Sequence, residues 1–158
     1  MKTIPINSRR GVIAFAKVDD DDFCKVSKYP WHFNSGGYQQ TSLLYKRNGK
    51  NGSLMMHKLI MGNGPKGMVL DHINRDKLDN RKENLRWATP SQNRANAGPF
   101  RTSKTGVKGV HPGKRGRYRA QICNNGKIRS LGEFNTIDEA AIAYRNAAIS
   151  TFGKFASF

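Results

Sequence analysis

The sequence predicts an α+β fold made of two small units. Three observations carry that prediction. Only 37% of the 158 residues are hydrophobic, too few for one large core. Residues 54–97 read in the order strand, loop, strand, helix, behind an N-terminal segment rich in short strands. Residues 106–158 read as three short strands followed by one helix. Between them, residues 98–105 are rich in Gly, Pro, Ser and Thr and lack periodicity, which is the signature of a linker. The expected divisions are therefore 1–97, with its central part at about 54–97, then 98–105, then 106–158.

Gly11–Val18 is apolar and β-prone, and the acidic run 19–22 interrupts it. That run reads as a solvated turn, because consecutive acids in a turn rarely converge on one ion. Residues 38–45 form the next strand, and Asn48-Gly49 and Asn51-Gly52 are hairpin signals. A short helix follows over 53–61, with Ser53 as N-cap and Gly62 as its stop. Residues 62–67 make a turn, 68–72 a strand, 74–84 a polar loop and 85–89 a second strand, with Trp87 as a core residue. Thr89 or Ser91 caps a helix that runs to about Ala97, with Pro90 in its first turn.

In the last segment the strands are 107–110, 118–123 and 127–131, with turns at 113–116 and at Asn124-Asn125-Gly126. Thr136 and Glu139 form a capping box. The helix behind it carries Ala140, Ala141, Ala143, Tyr144, Ala147 and Ala148 and stops near Gly153. A small-residue face lets a helix lie close on a sheet.

The formal net charge is +17 and the pI about 10.3, and both halves are basic. Such an excess points to a polyanion, most simply nucleic acid; a ribosomal or merely basic surface protein is the alternative. The two cysteines, Cys24 and Cys123, lie far apart without a CxxC. Neither a disulfide framework nor a structural zinc is expected, and free thiols suit a reducing cytosol. With no long apolar run, the expectation is a soluble cytoplasmic protein without a membrane partner.

The strongest chemical signal is Asp71-His72-Ile73-Asn74, followed by the run from Asn84 through Asn93 to Arg94. Phosphodiester hydrolysis needs an activated water, a Lewis acid on the phosphate and stabilisation of the leaving oxygen. Imidazole suits the first task, because its pKa lies near neutrality. A carboxylate and an amide oxygen are hard ligands for Mg²⁺ or Mn²⁺. Adjacent strand residues point to opposite faces, so Asp71 and His72 can address metal and water separately.

These residues resemble the HNH, or His-metal finger, nucleases, in particular the cysteine-free homing endonucleases encoded by phages and introns. Asp71-His72-Ile73, Asn80 through Asn84-Leu85-Arg86, Ala88-Thr89 through Asn93, and Met56-His57-Lys58-Leu59-Ile60 carry the resemblance, over roughly residues 20–97. It implies a ββα-metal nuclease module that binds Mg²⁺ or Mn²⁺. Asp71 and Asn93 would hold one ion, His72 would be the general base, and Asn84 would brace the loop. His57 is read as a packing or hydrogen-bonding residue. It also implies a phage- or mobile-element-encoded protein working in a bacterial host.

Residues 106–158 resemble the APETALA-type, ethylene-response-factor DNA-binding domain. Lys108-Gly109-Val110, Arg117 through Ile122, Leu131-Gly132-Glu133-Phe134 and Thr136 through Tyr144 carry the likeness. It implies a three-stranded antiparallel sheet packed on one helix, with the open face in the DNA major groove. Tyr118, Ala120 and Ile122 alternate with Arg117, Arg119 and Gln121, so one face packs and the other offers donors. The DNA-binding candidates are Lys108, His111, Arg117, Arg119, Gln121 and Ser130; by strand parity Arg129 falls on the helix side.

The reading is a metal-dependent endonuclease on double-stranded DNA, monomeric or weakly dimeric. Its rivals are a non-catalytic DNA-binding regulator with a degenerate nuclease module, and an RNA-cleaving enzyme.

Overall fold

The computed structural model describes residues 1–42, 46–47 and 50–158. It is a mixed α/β chain with small sheets and, among the described residues, four α-helices. It divides into two compact units, Met1–Trp87 and Ala88–Phe158. Among the described residues, no helix is long and apolar enough to cross a membrane.

The first unit opens with an antiparallel hairpin of β1 (Lys2–Ser8) and β2 (Gly11–Val18). The helix α1 (Asp20–Val26) follows where an acidic turn was expected. Asp20, Asp21 and Asp22 occupy its first turn, where exposed backbone N–H groups favour negative charge, so the acids start a helix. They also anchor it: Asp19 accepts from the Lys82 backbone at 2.8 Å, and Asp22 pairs with the Lys82 ammonium at 2.7 Å.

Next come β3 (His32–Phe33), β4 (Gln39–Thr41), β5 (Lys46–Arg47), β6 (Lys50–Asn51) and β7 (Leu54–Met55). The antiparallel strands β3, β4 and β7 form one sheet, while β5 and β6 pair with each other. Of the strand expected over 38–45, Gln39–Thr41 is observed; residues 43–45 and the Asn48-Gly49 turn lie outside the described residues. The helix α2 is shorter than expected, Met56–Met61, because Leu54 and Met55 are drawn into the sheet. It stops at Gly62 with φ of 70°, a conformation that suits glycine.

β8 (Val69–His72) and β9 (Leu85–Ala88) form a two-stranded sheet around the long polar loop. Their core is a cluster of Ile4, Ile6, Ala16, Val18, Val26, Trp31, Met56, Ile60 and Leu85. Trp87 is half-buried, and its ring lies so close to Gly64 that a Cβ there would sit 2.3 Å from it.

The second unit begins with Ala88 and contains α3 (Pro90–Asn96). Thr89 and Gln92 close a capping box at its start. Ala88 and Ala95 share a core with Ile122, Tyr144, Ala148, Phe152 and Phe155, so α3 groups with the C-terminal third of the chain. The expected linker, 98–105, therefore lies inside this unit. Three antiparallel strands come next: β10 (Val110–Pro112), β11 (Tyr118–Asn124) and β12 (Lys127–Phe134), in that order. β10 starts later than expected, since Gly109 with φ of 71° bends the chain just before it. α4 (Ile137–Phe152) starts at its Thr136–Glu139 capping box and packs on the sheet. The approach is close: a Cβ on Gly109 would lie 2.1 Å from the Tyr144 ring.

Candidate active site

Asp71 and His72 end β8, and both are buried with 4% of their surface exposed. They diverge as neighbours on a strand should. The Asp71 carboxylate accepts from Arg86 Nε of β9 at 2.8 Å, with the side chains 5% and 13% exposed. His72 faces other partners: Asn80, and the rings of Tyr38 and His57.

The Asn80 network assigns the His72 tautomer. Asn80 is fully buried, and its Nδ2 donates to Gln39 Oε1 at 3.0 Å and to the Lys77 carbonyl at 3.3 Å. Two acceptors take both amide protons, so Oδ1 is the atom that meets His72 Nε2 at 3.4 Å. An amide oxygen can only accept. Nε2 therefore carries the proton, and Nδ1 holds the basic lone pair. Burial pushes the His72 pKa below the ordinary imidazole value, against the opposing pull of Asn80 and of Asp71, Asp76 and Asp79. His72 is thus a neutral imidazole near neutral pH.

A second imidazole stands beside it. The His57 ring crosses the His72 ring edge to face at 5.5 Å, and Tyr38 lies 5.3 Å from His57 and 6.0 Å from His72. Burial, with His72 and Lys58 adding to it, lowers the His57 pKa to about 4, and among the described residues its Nδ1 has no hydrogen-bond partner. Burial and the Asp71 charge push the Tyr38 hydroxyl up. The Lys77 ammonium lies 4.3 Å above the Tyr38 ring and donates to the Gly36 carbonyl at 2.6 Å.

Asn84 holds the loop in shape. Its Oδ1 accepts from the Asn74 backbone at 2.9 Å, and its Nδ2 donates to the Asp79 carbonyl at 2.8 Å. Asp79 is 1% exposed and accepts from Arg81 Nε and Nη2, both at 2.7 Å, and from Asn74 Nδ2 at 3.1 Å. The Arg81 hydrogen bonds hold its carboxyl below the usual carboxylate range. The hairpin fixes the same loop: Lys17 N donates to the Leu78 carbonyl at 2.7 Å, and Asn80 N to the Lys17 carbonyl at 2.9 Å.

Asn93 is half-buried on α3 of the second unit. Within that unit, Ser91 Oγ donates to Asn124 Oδ1 at 3.0 Å and accepts from Asn125 N at 3.1 Å. The Lys108 ammonium donates to the carbonyl of Arg94 at 3.1 Å and to those of Ala95 and Ala97. This residue, expected at DNA, is engaged at the C-terminus of α3. Arg119 and Gln121 alternate with buried Ala120 and Ile122 and so lie on the face away from α4. Register puts His111 opposite Arg119 and Ser130 opposite Gln121, on that same face. Gln121 Nε2 and His111 Nε2 meet at 3.1 Å, and Arg117 reaches the Glu133 carbonyl at 3.4 Å. Arg129 opposes Ile122, on the helix side.

Sequence reasoning gave no role to Arg86, Gln39 or Tyr38 and read Asn80 as a loop residue, either a contact to backbone phosphate or an ordinary solvated group. Arg86 had a signal, a cation inside a strand facing a carboxylate on the next. Tyr38 and Gln39 had none, because only the tertiary fold brings β4 to the loop.

A neutral imidazole beside a buried carboxylate, in a chain of net charge +17, equips an enzyme to move a proton on a polyanionic substrate. The family model for HNH endonuclease matches residues 57–95, a stretch that holds His57, Asp71, His72, Asn84 and Asn93. A protein of Acanthamoeba polyphaga mimivirus, named as an uncharacterized HNH endonuclease, is 33% identical over 153 residues, covering 94% of this chain and 76% of that one. Protein 3.8 of Escherichia phage T7 is 30% identical over 95 residues, covering 60% of this chain and 78% of its own. No solved structure matches the chain. The chain belongs to the HNH endonuclease family, which makes it a nuclease directed at DNA.

Proposed function

We propose that this is a metal-dependent, homing-type endonuclease that hydrolyses a phosphodiester in double-stranded DNA and is targeted by its C-terminal sheet. The observation that carries the reading is the buried His72, whose Nε2 meets the Asn80 amide oxygen at 3.4 Å beside the buried Asp71 carboxylate. His72 takes a proton from the attacking water as general base, and Asn80 Oδ1 orients its ring through Nε2. Asn84 and Asp79 keep the loop from collapsing when that charge appears.

By motif spacing alone, Asp71 and Asn93 would hold Mg²⁺ or Mn²⁺. The donor chemistry fits such an ion: a carboxylate and an amide are hard oxygen ligands. Among the described residues no three His, Cys, Asp or Glu gather into a metal cluster, so the ion would rest on the carboxylate and the amide alone. When bound, the ion polarises the scissile phosphate and offsets charge on the leaving oxygen. Arg86 orients the Asp71 carboxylate.

The APETALA-like sheet supplies target preference. His111, Arg119, Gln121 and Ser130 share its open face, and Arg and Gln are suited to guanine and adenine edges. Arg117 lies at the strand's start, suited to a phosphate. Phage or mobile-element origin fits the viral relatives.

Supercoiled plasmid incubated with Mg²⁺ or Mn²⁺ tests this. Nicking is expected, lost in His72→Ala while duplex binding in EDTA persists. Wild-type protein that binds duplex but leaves plasmid intact under every divalent ion would instead mark a regulator. Preferential cleavage of RNA at equal salt would also overturn the proposal.

A further inference from the structure

The β1–β2 hairpin ends in a tight turn, Ser8-Arg9-Arg10-Gly11, closed by the pairing of Ser8 with Gly11. Arg9 and Arg10 are exposed, and among the described residues neither makes an ion pair. Ile4, Ile6, Ala16 and Val18 bury one face of the hairpin in the core. Near the tip the pattern changes: Val12, Ile13 and Phe15 are 51%, 55% and 58% exposed. The register slips between Ile6 and Asn7, so Val12 pairs with Asn7, Ala14 with Ile6, and Ile13 is the extra residue of a bulge. A bulge raises local twist and re-aims the strand end. Solvated ribbon faces normally carry polar residues, so three large apolar side chains beside two unpaired arginines call for an occupant.

The other end of the ribbon is fastened to the catalytic loop through the Lys17 bonds to Leu78 and Asn80. At about 3.3 Å per residue, the arginine tip lies roughly 20 Å along the strand from Lys17. That is about six base pairs of duplex at 3.4 Å each.

We infer that this hairpin is a second duplex-DNA contact, one that belongs to the nuclease unit and is separate from the C-terminal sheet. The inference rests on the proposed DNA substrate. Arg9 and Arg10 meet phosphates flanking a groove, while Val12, Ile13 and Phe15 lie on the apolar sugar edges. Charge selects this occupant: pairing of two copies along this ribbon would bring four arginines together, whereas a phosphate chain complements them.

The test is binding of the full chain to a fluorescent duplex in EDTA, across a series of KCl concentrations. Arg9→Ala/Arg10→Ala is expected to flatten the slope of log K against log salt by about 1.8, which is about 0.9 for each phosphate no longer neutralised. Arg9→Lys/Arg10→Lys should restore the slope. Phe15→Ser should weaken binding severalfold at unchanged slope. Circular dichroism of each variant checks that it folds, which exposed positions should allow, and Arg119→Ala serves as a control that weakens binding through the sheet. A double variant with wild-type slope and affinity overturns the inference while leaving the DNA substrate intact. A dimer in sedimentation that Phe15→Ser dissolves without affecting DNA binding overturns it too. Failure of the wild-type chain to bind duplex at all would instead strike at the proposed function.

Discussion

Replacing Arg86 with Met removes the cation from a buried ion pair and keeps most of the side-chain volume. The pair is short, 2.8 Å, and nearly dry, with Asp71 5% and Arg86 13% exposed. Taking one partner from such a pair costs about 3–5 kcal/mol, because the other charge stays buried. The slight exposure of Arg86 places the value near the lower end, about 3 kcal/mol. Both tryptophans, Trp31 and Trp87, lie in the first unit, so fluorescence in urea follows this unit by itself. With a slope of about 1 kcal/mol/M for a unit this small, the midpoint should drop by about 3 M. Asp71→Asn in the same chain removes the buried charge and should recover most of the loss. Mn²⁺ should also rescue Arg86→Met, by about 2.7 kcal/mol at a hundred times its dissociation constant, since the ion takes over the guanidinium's role. An Arg86→Met midpoint within about 0.5 M of wild type would refute the reasoning. So would a double variant no more stable than the single one, because the buried carboxylate would then not be the source of the cost.

Three further outcomes follow from the same geometry. The His57 pKa of about 4 lies below the unfolded value of 6.5, so the native state favours the neutral ring. Its contribution is complete above pH 6.5 and is lost as pH falls towards 4; about 2 kcal/mol should go between pH 7 and 5. Burial of His72 acts in the same direction. His57→Phe should flatten that pH dependence in urea titrations, and an unchanged slope would contradict it. Asn84→Ala removes two loop hydrogen bonds and should cost about 2–3 kcal/mol. Plasmid nicking should fall steeply while duplex affinity stays near wild type; equal loss of both would argue against a local bracing role. Gly109→Ala forces a Cβ to 2.1 Å from the Tyr144 ring at φ of 71°, and should cost well over about 3 kcal/mol in thermal melts of the second unit. Gly126→Ala is the control: its φ of 78° is similar but open space surrounds it, so about 1 kcal/mol is expected.

Local chemistry was legible in the sequence wherever one residue type enforces one backbone shape. The Thr136 capping box, the Gly62 and Gly153 stops and the Asn125-Gly126 turn fall where the sequence puts them, and of the two caps offered for α3 it is Thr89 that serves. Legibility failed where a distant partner decides. Strand β1 went unassigned, since Lys2–Ser8 has few apolar residues and owes its order to β2 and to Trp31. The acids at 20–22 read as a turn but start a helix, and Lys82 is among the contacts that set the outcome. In the site, motif spacing marked Asp71, His72 and Asn84. It could not show that Asn80 turns inward to meet His72, because that depends on Gln39, 41 positions earlier. Nor could it show Lys108 spent on the carbonyls of α3.

The distribution of acids explains how one basic chain holds both a stable site and a cationic exterior. Asp71, Asp79 and Asp22 are buried and paired with Arg86, Arg81 and Lys82, while Asp19, Asp76 and Glu139 accept backbone N–H groups. Acids used in this way do not screen the surface, so the excess of 28 Lys and Arg over 11 Asp and Glu is expressed outward. That field concentrates polyanion around both units and makes binding salt-dependent. It also opposes protonation of the buried imidazoles, since Lys58 helps lower the His57 pKa. The local carboxylates Asp71, Asp76 and Asp79 pull His72 the other way. The proposed base is therefore set by a balance between the charge that would attract DNA and the acids folded beneath it. Neutralising Asp79 and stripping surface lysines should move that balance in opposite directions.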